Sequence, residues 1–444
     1  MNSFNNGTIK TVKFGGSSLA DAECLKKVAT IIKADASRRY VVPSAPGKRF
    51  KEDEKVTDML YALHRAAAEG GAAFEETYEK IYTRFDGIVK GLGIDFPLAE
   101  ELEIIKKNLL AGYGSDYAAS RGEYLNGKIL AAYIGFAFVD PATAVAFKEN
   151  GAFDAGKTDE LLGKALAEHE YAVVPGFYGA LPDGAIKTFS RGGSDVTGSL
   201  VAKAVNADIY ENWTDVSGFL MADPRIVDSP KQIRTITYRE LRELSYMGAT
   251  VLHEDAIFPV RKIGIPINIR NTNIPEEPGT MIVAKAEVDA ENLITGIAGR
   301  RGFSAIIIEK DMMNQEIGFG RRVLDVFEKF GISFEHLPSG IDTLSVVVES
   351  KSLEKVENII EELYKATEAD HIYVENEIAL IAVVGRGMIQ ARGTAARVFA
   401  AISHAGVNVK MIDQGSSELN IIVGVKEEDF EKTIKAIYEI FDNE

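Results

Sequence analysis

The residues with the most chemical reach sit at two glycine pairs, "KFGGSS" (13–18) and "FSRGGSD" (189–195). In the first, Lys13 ends an apolar run and Gly15 and Gly16 make a turn into a helix. Glycines let phosphate oxygens approach backbone N–H groups, and a helix N-terminus favours negative charge. A lysine at the strand end adds a point charge for a phosphoryl group. The GxxxxGK[ST] spacing of a Walker loop is absent, and a tight turn alone is the competing reading. Ser18 and Asp21 resemble a helix-capping pair. In the second pair, Arg191 can grip a carboxylate with two parallel bonds. Asp195 falls in the first turn of a helix, where capping would explain it equally. Glu123, at the start of a helix in "SRGEYLNGK", can pair with an ammonium group; a solvated helix face is the alternative. "NWTDVSGFLMADPRIV" (212–227) carries the only tryptophan, Trp213. Its Asp215, Asp223, Pro224 and Arg225 suit either a loop over a ligand or a turn-rich connection. None of the six histidines falls at a metal-binding spacing, so no protein metal site is expected.

Positioning these residues requires alternating strands and helices. Apolar runs predict strands at 11–14, 40–44, 136–139, 171–175, 209–211 and 267–270. Helical periodicity predicts helices at 23–34, 100–110, 118–133, 158–168 and 194–205. Leu25, Val28, Ala29 and Ile32 share the buried face of the first helix. The alternation implies a largely parallel sheet covered by helices on both faces, over residues 1–290. "NTNIPEEPGTMI" (271–282), with its two prolines, is expected to close that domain.

The tail is a duplication. Residues 322–350 and 397–425 align without a gap at a constant offset of 75, with Arg322 on Arg397, Gly331 on Gly406 and Gly340 on Gly415. Each copy reads β-α-β-β-α. The second copy lacks a closing strand, whereas a spare one, 292–299, precedes the first. Interleaved modules at 303–376 and 377–444 are therefore expected, with 292–299 completing the second; a mere linker is the other reading.

Composition narrows the partners. The 444 residues are 46% hydrophobic and carry a formal net charge of −16, which argues against nucleic acid and anionic membranes. Any anionic substrate needs local cations. The lone Cys24 rules out an intrachain disulfide, and the polar start lacks a signal-peptide core; both fit the cytoplasm.

The ordered set KFGG(S)S, RGE, FSRGGSD, WTDVxG and DPR, followed by the duplicated tail, resembles the aspartate kinases, and the tail copies resemble ACT domains. The resemblance covers almost the whole chain. It implies a three-layer αβα amino-acid-kinase fold with a mainly parallel sheet, then two interleaved βαββαβ ACT domains. It also implies transfer of the ATP γ-phosphate to the β-carboxylate of L-aspartate, with Mg²⁺ carried mainly by the ATP phosphates. A carboxylate is already nucleophilic at neutral pH, so no general base is needed and positioning and charge neutralisation suffice.

By resemblance, Lys13 and Asp195 are catalytic, Lys13 on the transferring phosphoryl group and Asp195 orienting it. Ser44, Thr57, Glu123, Arg191, Gly192, Gly193 and Ser194 bind aspartate, with Arg191 on its α-carboxylate and Glu123 on its α-ammonium. Lys13, Gly15, Gly16, Ser17, Thr214, Asp215, Leu220, Arg225 and Thr250 contact ATP. Met313, Gly318, Phe319, Ser333 and Glu335 surround an allosteric amino acid. Glu335 suits the side-chain ammonium of lysine, favouring it over threonine; a simply exposed strand-edge glutamate is the alternative. ACT pairing across subunits implies a homodimer or larger. The chain stops after the second copy, implying a monofunctional enzyme.

Three features depart from the pattern. "APGKRFKEDEKV" (45–56) is longer and more charged than the usual loop there; it reads as a solvated insertion or else a mobile lid. Thr250 stands where many relatives have a lysine, and Leu220 where many have an aromatic residue. Two further readings stay open, a catalytically decayed amino-acid-sensing subunit and a kinase for another acidic amino acid.

Overall fold

The computed structural model describes residues 7–69, 71–190, 192–249, 254–288, 293–389 and 391–442. They form two compact units. One comprises Met1–Phe219, Arg234–Tyr238 and Val251–Ala286, the other Leu220–Ile233, Arg239–Thr250 and Glu287–Glu444.

The first unit opens with β1 (Lys10–Phe14), α1 (Ala22–Lys33), β2 (Arg38–Pro43), α2 (Val56–Glu69), α3 (Ala72–Leu92), α4 (Leu98–Leu110) and α5 (Ser115–Ile134). There follow β3 (Ala137–Phe138), α6 (Pro141–Ala144), α7 (Ala155–Ala167), β4 (Ala172–Val173), the hairpin β5 (Tyr178–Ala180) and β6 (Ile186–Thr188), α8 (Gly193–Ala204) and β7 (Ile209–Thr214). After β8 (Thr235–Thr237) the chain enters α9 (Tyr238–Tyr246), then returns through α10 (Glu254–Ile263), β9 (Ile267–Asn271) and β10 (Thr280–Val283). The sheet order is β3-β4-β2-β1-β7-β9-β10-β8, parallel except between β9 and β10.

β1 shows how the three layers arise. Val12 and Phe14 are fully buried in a core shared with Leu25 and Val28 of α1 and with Leu125 and Ile129 of α5. Lys13 alternates to the other face and meets Asp195 of α8. Such strands are covered on both sides, so their apolar runs are nearly continuous. Asp21 caps α1 by accepting from the Cys24 N–H at 2.9 Å. Ser18 takes no part in that cap. It lies in a 3-10 turn, Gly16–Leu19, and shares a 2.5 Å hydrogen bond with Thr272. Residues 271–282 lead into β10, the last strand of this unit, which ends at Ala286. Arg270 ties this segment down through the Pro275 and Glu277 carbonyls, and it turns β9 back antiparallel into β10.

The second unit holds α9 and then β11 (Gly296–Glu309), α11 (Phe319–Lys329), β12 (Thr343–Glu349), α12 (Val356–Thr367), β13 (His371–Val384), α13 (Thr394–His404), β14 (Met411–Asp413), β15 (Asn420–Lys426) and α14 (Phe430–Asp442). Its five strands run β12-β11-β13-β15-β14, all antiparallel. β11 is one continuous strand, not a spare strand followed by a separate one. Its 296–300 stretch pairs with 380–384, and its 303–309 stretch pairs with β12 on one side and 371–378 on the other. Sequence position 292 lies outside the described residues. The second strand expected in the first copy is reduced to two isolated bridges to β12, His336–Val347 and Ser339–Leu344.

Candidate active site

At the carboxyl end of β1, Lys13 Nζ lies 2.6 Å from Asp195 Oδ1, both side chains largely buried. Asp195 also accepts a 2.8 Å hydrogen bond from Asn212 Nδ2. Asn212 sits on β7 in register with Lys13 on β1, which places both side chains on the α8 face. Asp195 thus turns toward the lysine instead of capping its own helix. A cation is fixed at the start of α8, beside the Gly15 backbone.

Gly16 of the turn and Gly47 of the loop after β2 work through close approach. A Cβ on Gly16 would stand 2.9 Å from the Ala45 carbonyl oxygen, and one on Gly47 would stand 2.5 Å from the Gly16 carbonyl carbon. The Gly47 N–H donates to the Gly16 carbonyl at 2.8 Å. Two loops, one after β1 and one after β2, are therefore locked backbone to backbone, which no side chain at either position would permit.

Glu123 is not at a helix start and not solvated. α5 begins at Ser115, and Glu123 lies in its interior, only 6% exposed. Its Oε2 has no hydrogen-bond partner. Burial pushes its pKa up to about 8, against the ordinary 4.5; the Ala45 N–H and the Arg121 charge pull the other way. On the same helix, the Asn126 side chain donates to the Ser44 carbonyl at 2.7 Å and so holds the loop after β2.

One cleft of about 550 Å³ gathers Gly16 and Ser17, Ser44 and Thr57, Glu123 and Asp215. Thr57 enters it from the first turn of α2. Asp215 also borders a neighbouring cavity of about 240 Å³ with Ser17 and Thr272. Its carboxylate accepts from the Thr214 hydroxyl at 3.2 Å. Gly192 has φ +56° and precedes Gly193 and Ser194 at the start of α8. Arg191 and Thr250 lie outside the described residues. Leu220 and Arg225 fall in the second unit, where Leu220 bridges Gln232 and the exposed Arg225 folds back on Asp223 at 2.6 Å.

The insertion in 45–56 is exposed at Lys48–Glu52, Glu54 and Lys55, but it is anchored from within. Asp53 is buried, ion-paired to Arg49 at 2.8 Å and to buried Arg84 of α3 at 2.7 Å. Sequence reasoning passed over Asn212, Asn126, Gly47 and the Asp53–Arg84 pair. Only Gly47, in "APGK", carried a local signal.

In the second unit, Met313 is buried in a 3-10 turn, Gly318 (φ +82°) precedes α11 and Phe319 is its first residue. Ser333 is exposed. Glu335 is no free strand-edge glutamate, because the Tyr246 hydroxyl donates to it.

Comparison with known proteins agrees with this architecture. The model of the amino acid kinase family matches residues 9–271, and an ACT domain model matches residues 381–441. Aspartokinase 3 of Bacillus subtilis (strain 168) is 40% identical over 98% of this chain and 98% of its own length. The crystal structure of aspartate kinase from Clostridium acetobutylicum, described as an allosteric enzyme, superposes with a TM-score of 0.89. It is 52% identical and covers 98% of this chain and 100% of that one. E. coli aspartokinase III, solved in complex with lysine and aspartate in a T-state, gives a TM-score of 0.72 at 25% identity, covering 97% and 99%. With full-length identity of 40% to an aspartokinase, a superposition on an aspartate kinase over nearly the whole chain and the kinase-family match over residues 9–271, this chain belongs to the aspartokinase family of ATP-dependent amino acid kinases.

Proposed function

We propose that this protein transfers the γ-phosphate of ATP to the β-carboxylate of L-aspartate, giving 4-phospho-L-aspartate, under feedback control by lysine. The observation that carries this reading is the buried Glu123 carboxylate, with one oxygen unpartnered, in the same cleft as the phosphate turn. Burying such a group without a partner is costly, and a ligand ammonium would satisfy it. An amino acid held there by its ammonium, with Ser44, Thr57 and Ser194 around it and Arg191 on its α-carboxylate, presents its side-chain carboxylate to the nucleotide. Lys13, oriented by Asp195, and the N–H groups of Gly15 and Gly16 then neutralise charge on the transferring phosphoryl group. Ser17, Thr214 and Asp215 hold the nucleotide. Mg²⁺ enters on the ATP phosphates.

In the same reading, residues 303–376 form one ACT module and 377–442 the second, completed by 296–300. Met313, Gly318, Phe319, Ser333 and Glu335 take the effector, Glu335 facing the lysine side-chain ammonium. The lysine bound to E. coli aspartokinase III supports that choice over threonine. The outer edge of β12 is bonded to residues 335–340, whereas the sheet ends on the other side at β14, whose edge pairing between subunits would cover.

ADP release should require L-aspartate, with L-glutamate and a no-acceptor control near background. Release with glutamate instead, or with no acceptor, refutes the substrate. Lysine should lower the initial rate more than threonine does; indifference to both removes the regulatory part.

A further inference from the structure

The charged loop after β2 turns toward the cleft. Residues 48–55 hold four cations, Lys48, Arg49, Lys51 and Lys55, in a chain of net charge −16. All four line the cleft that also holds Gly16, Ser17 and Glu123. Phe50, 58% exposed, lines it too, with the Arg49 guanidinium 5.6 Å from its ring centre.

The loop is irregular yet anchored. Asp53 is buried and held by Arg49 and by Arg84, a buried residue in the middle of α3. The other arm of Arg84 donates to the Gly47 carbonyl at 2.5 Å. Gly47 in turn donates to Gly16 of the phosphate turn. One chain of contacts therefore runs from the α3 interior through the loop to the turn. Of the two carboxylates flanking Asp53, Glu52 and Glu54, neither lines the cleft, and both are exposed. The charge that this loop turns to the cleft is positive where the whole molecule is negative.

Resting on the phosphotransfer reading above, we propose that residues 47–55 are a cationic strap for the terminal phosphates of the nucleotide. Lys48 and Lys51 supply the phosphate contacts, and Asp53 and Arg84 are positioning residues that fasten the strap to the phosphate turn. Phosphate is the favoured ligand over the amino acid because the strap is bonded to Gly16 itself. Concentrated positive charge in a cleft raises the local concentration of an anionic ligand, and salt screens that effect.

The test is the exposed double variant Lys48→Ala/Lys51→Ala, with wild type alongside. Equilibrium titration with MgATP and steady-state kinetics are run at low and high ionic strength. The variant should bind MgATP about tenfold more weakly at low salt, with KM for MgATP raised to match, kcat near wild type and a flattened salt dependence. Unchanged affinity and salt dependence in a variant that melts as wild type does overturn the proposal. Asp53→Asn should raise KM for MgATP in the same direction, and Asp53→Glu should restore part of it; a loss of melting temperature with KM unmoved overturns the positioning role. If wild type turns over no aspartate but the double variant still loses MgATP affinity, the acceptor assignment fails and the strap stands.

Discussion

Glu123 sets a pH dependence whose direction follows from its burial. Its carboxyl is shifted from the ordinary 4.5 up to about 8, so between those values the unfolded chain is ionised and the native chain still holds the proton. Native stability from this group therefore falls as pH rises from about 4.5 to about 8, and is flat beyond. Glu123→Gln should gain melting temperature over wild type across that window, with the gap constant above it. In catalysis the sign reverses. An ammonium ligand needs the ionised form, so kcat/KM for aspartate should climb with pH through a midpoint near 8. In Glu123→Gln that limb should vanish and KM for aspartate rise. A pH profile unchanged by the substitution would remove Glu123 from the substrate pocket. Lys13 acts differently. Lys13→Ala should cut kcat by roughly 10²–10³ while KM for aspartate changes little, because its charge is needed most as the phosphoryl group transfers. Steady-state kinetics separates the two.

The elements that carry these residues were readable to different depths. β1, α1 and α8 stood out because their apolar spacing and glycine turns are local. Asp21 announced its cap by position alone, and Asp21→Ala should cost about 1 kcal/mol in chemical unfolding. Asn212 gave no such signal, since its part depends on the register of β7 against β1. Arg84 was equally silent, because its partner Asp53 is brought to it only when α3 packs against the loop after β2. Ser18 misled for the converse reason. Its spacing to Asp21 looks like a cap, yet the turn bonds it to Thr272, far along the chain. Gly47 shows how tightly two loops can be coupled. A methyl there would press on the Gly16 backbone, which cannot rotate away as a side chain can. Gly47→Ala should therefore lose about 1–3 kcal/mol of stability and depress activity with it. Wild-type stability and turnover in that variant would show the loops to be independent.

Across the molecule, the duplicated tail was legible as a repeat, but the sharing of strands was only partly so. Sequence suggests a strand lent from one copy to the other. In the structure β11 and β13 are each 14 residues long and serve both copies, so the modules share one sheet. The β14 edge and the apolar residues Ile317 (98% exposed) and Ile341 (68%) then need cover. Sedimentation should find a dimer or larger, and Ile317→Asp/Ile341→Asp should give a smaller species that keeps turnover but loses its response to lysine. A wild-type monomer would contradict the pairing. The central claim is that one cleft joins an ammonium-binding carboxylate to a phosphate turn, and product identity tests it most directly. With ATP, Mg²⁺, L-aspartate and hydroxylamine, mass spectrometry of the trapped product should show the β-hydroxamate of L-aspartate, lost in Lys13→Ala. A different acid's hydroxamate, or ADP formation with no trapped acyl group, would contradict the account.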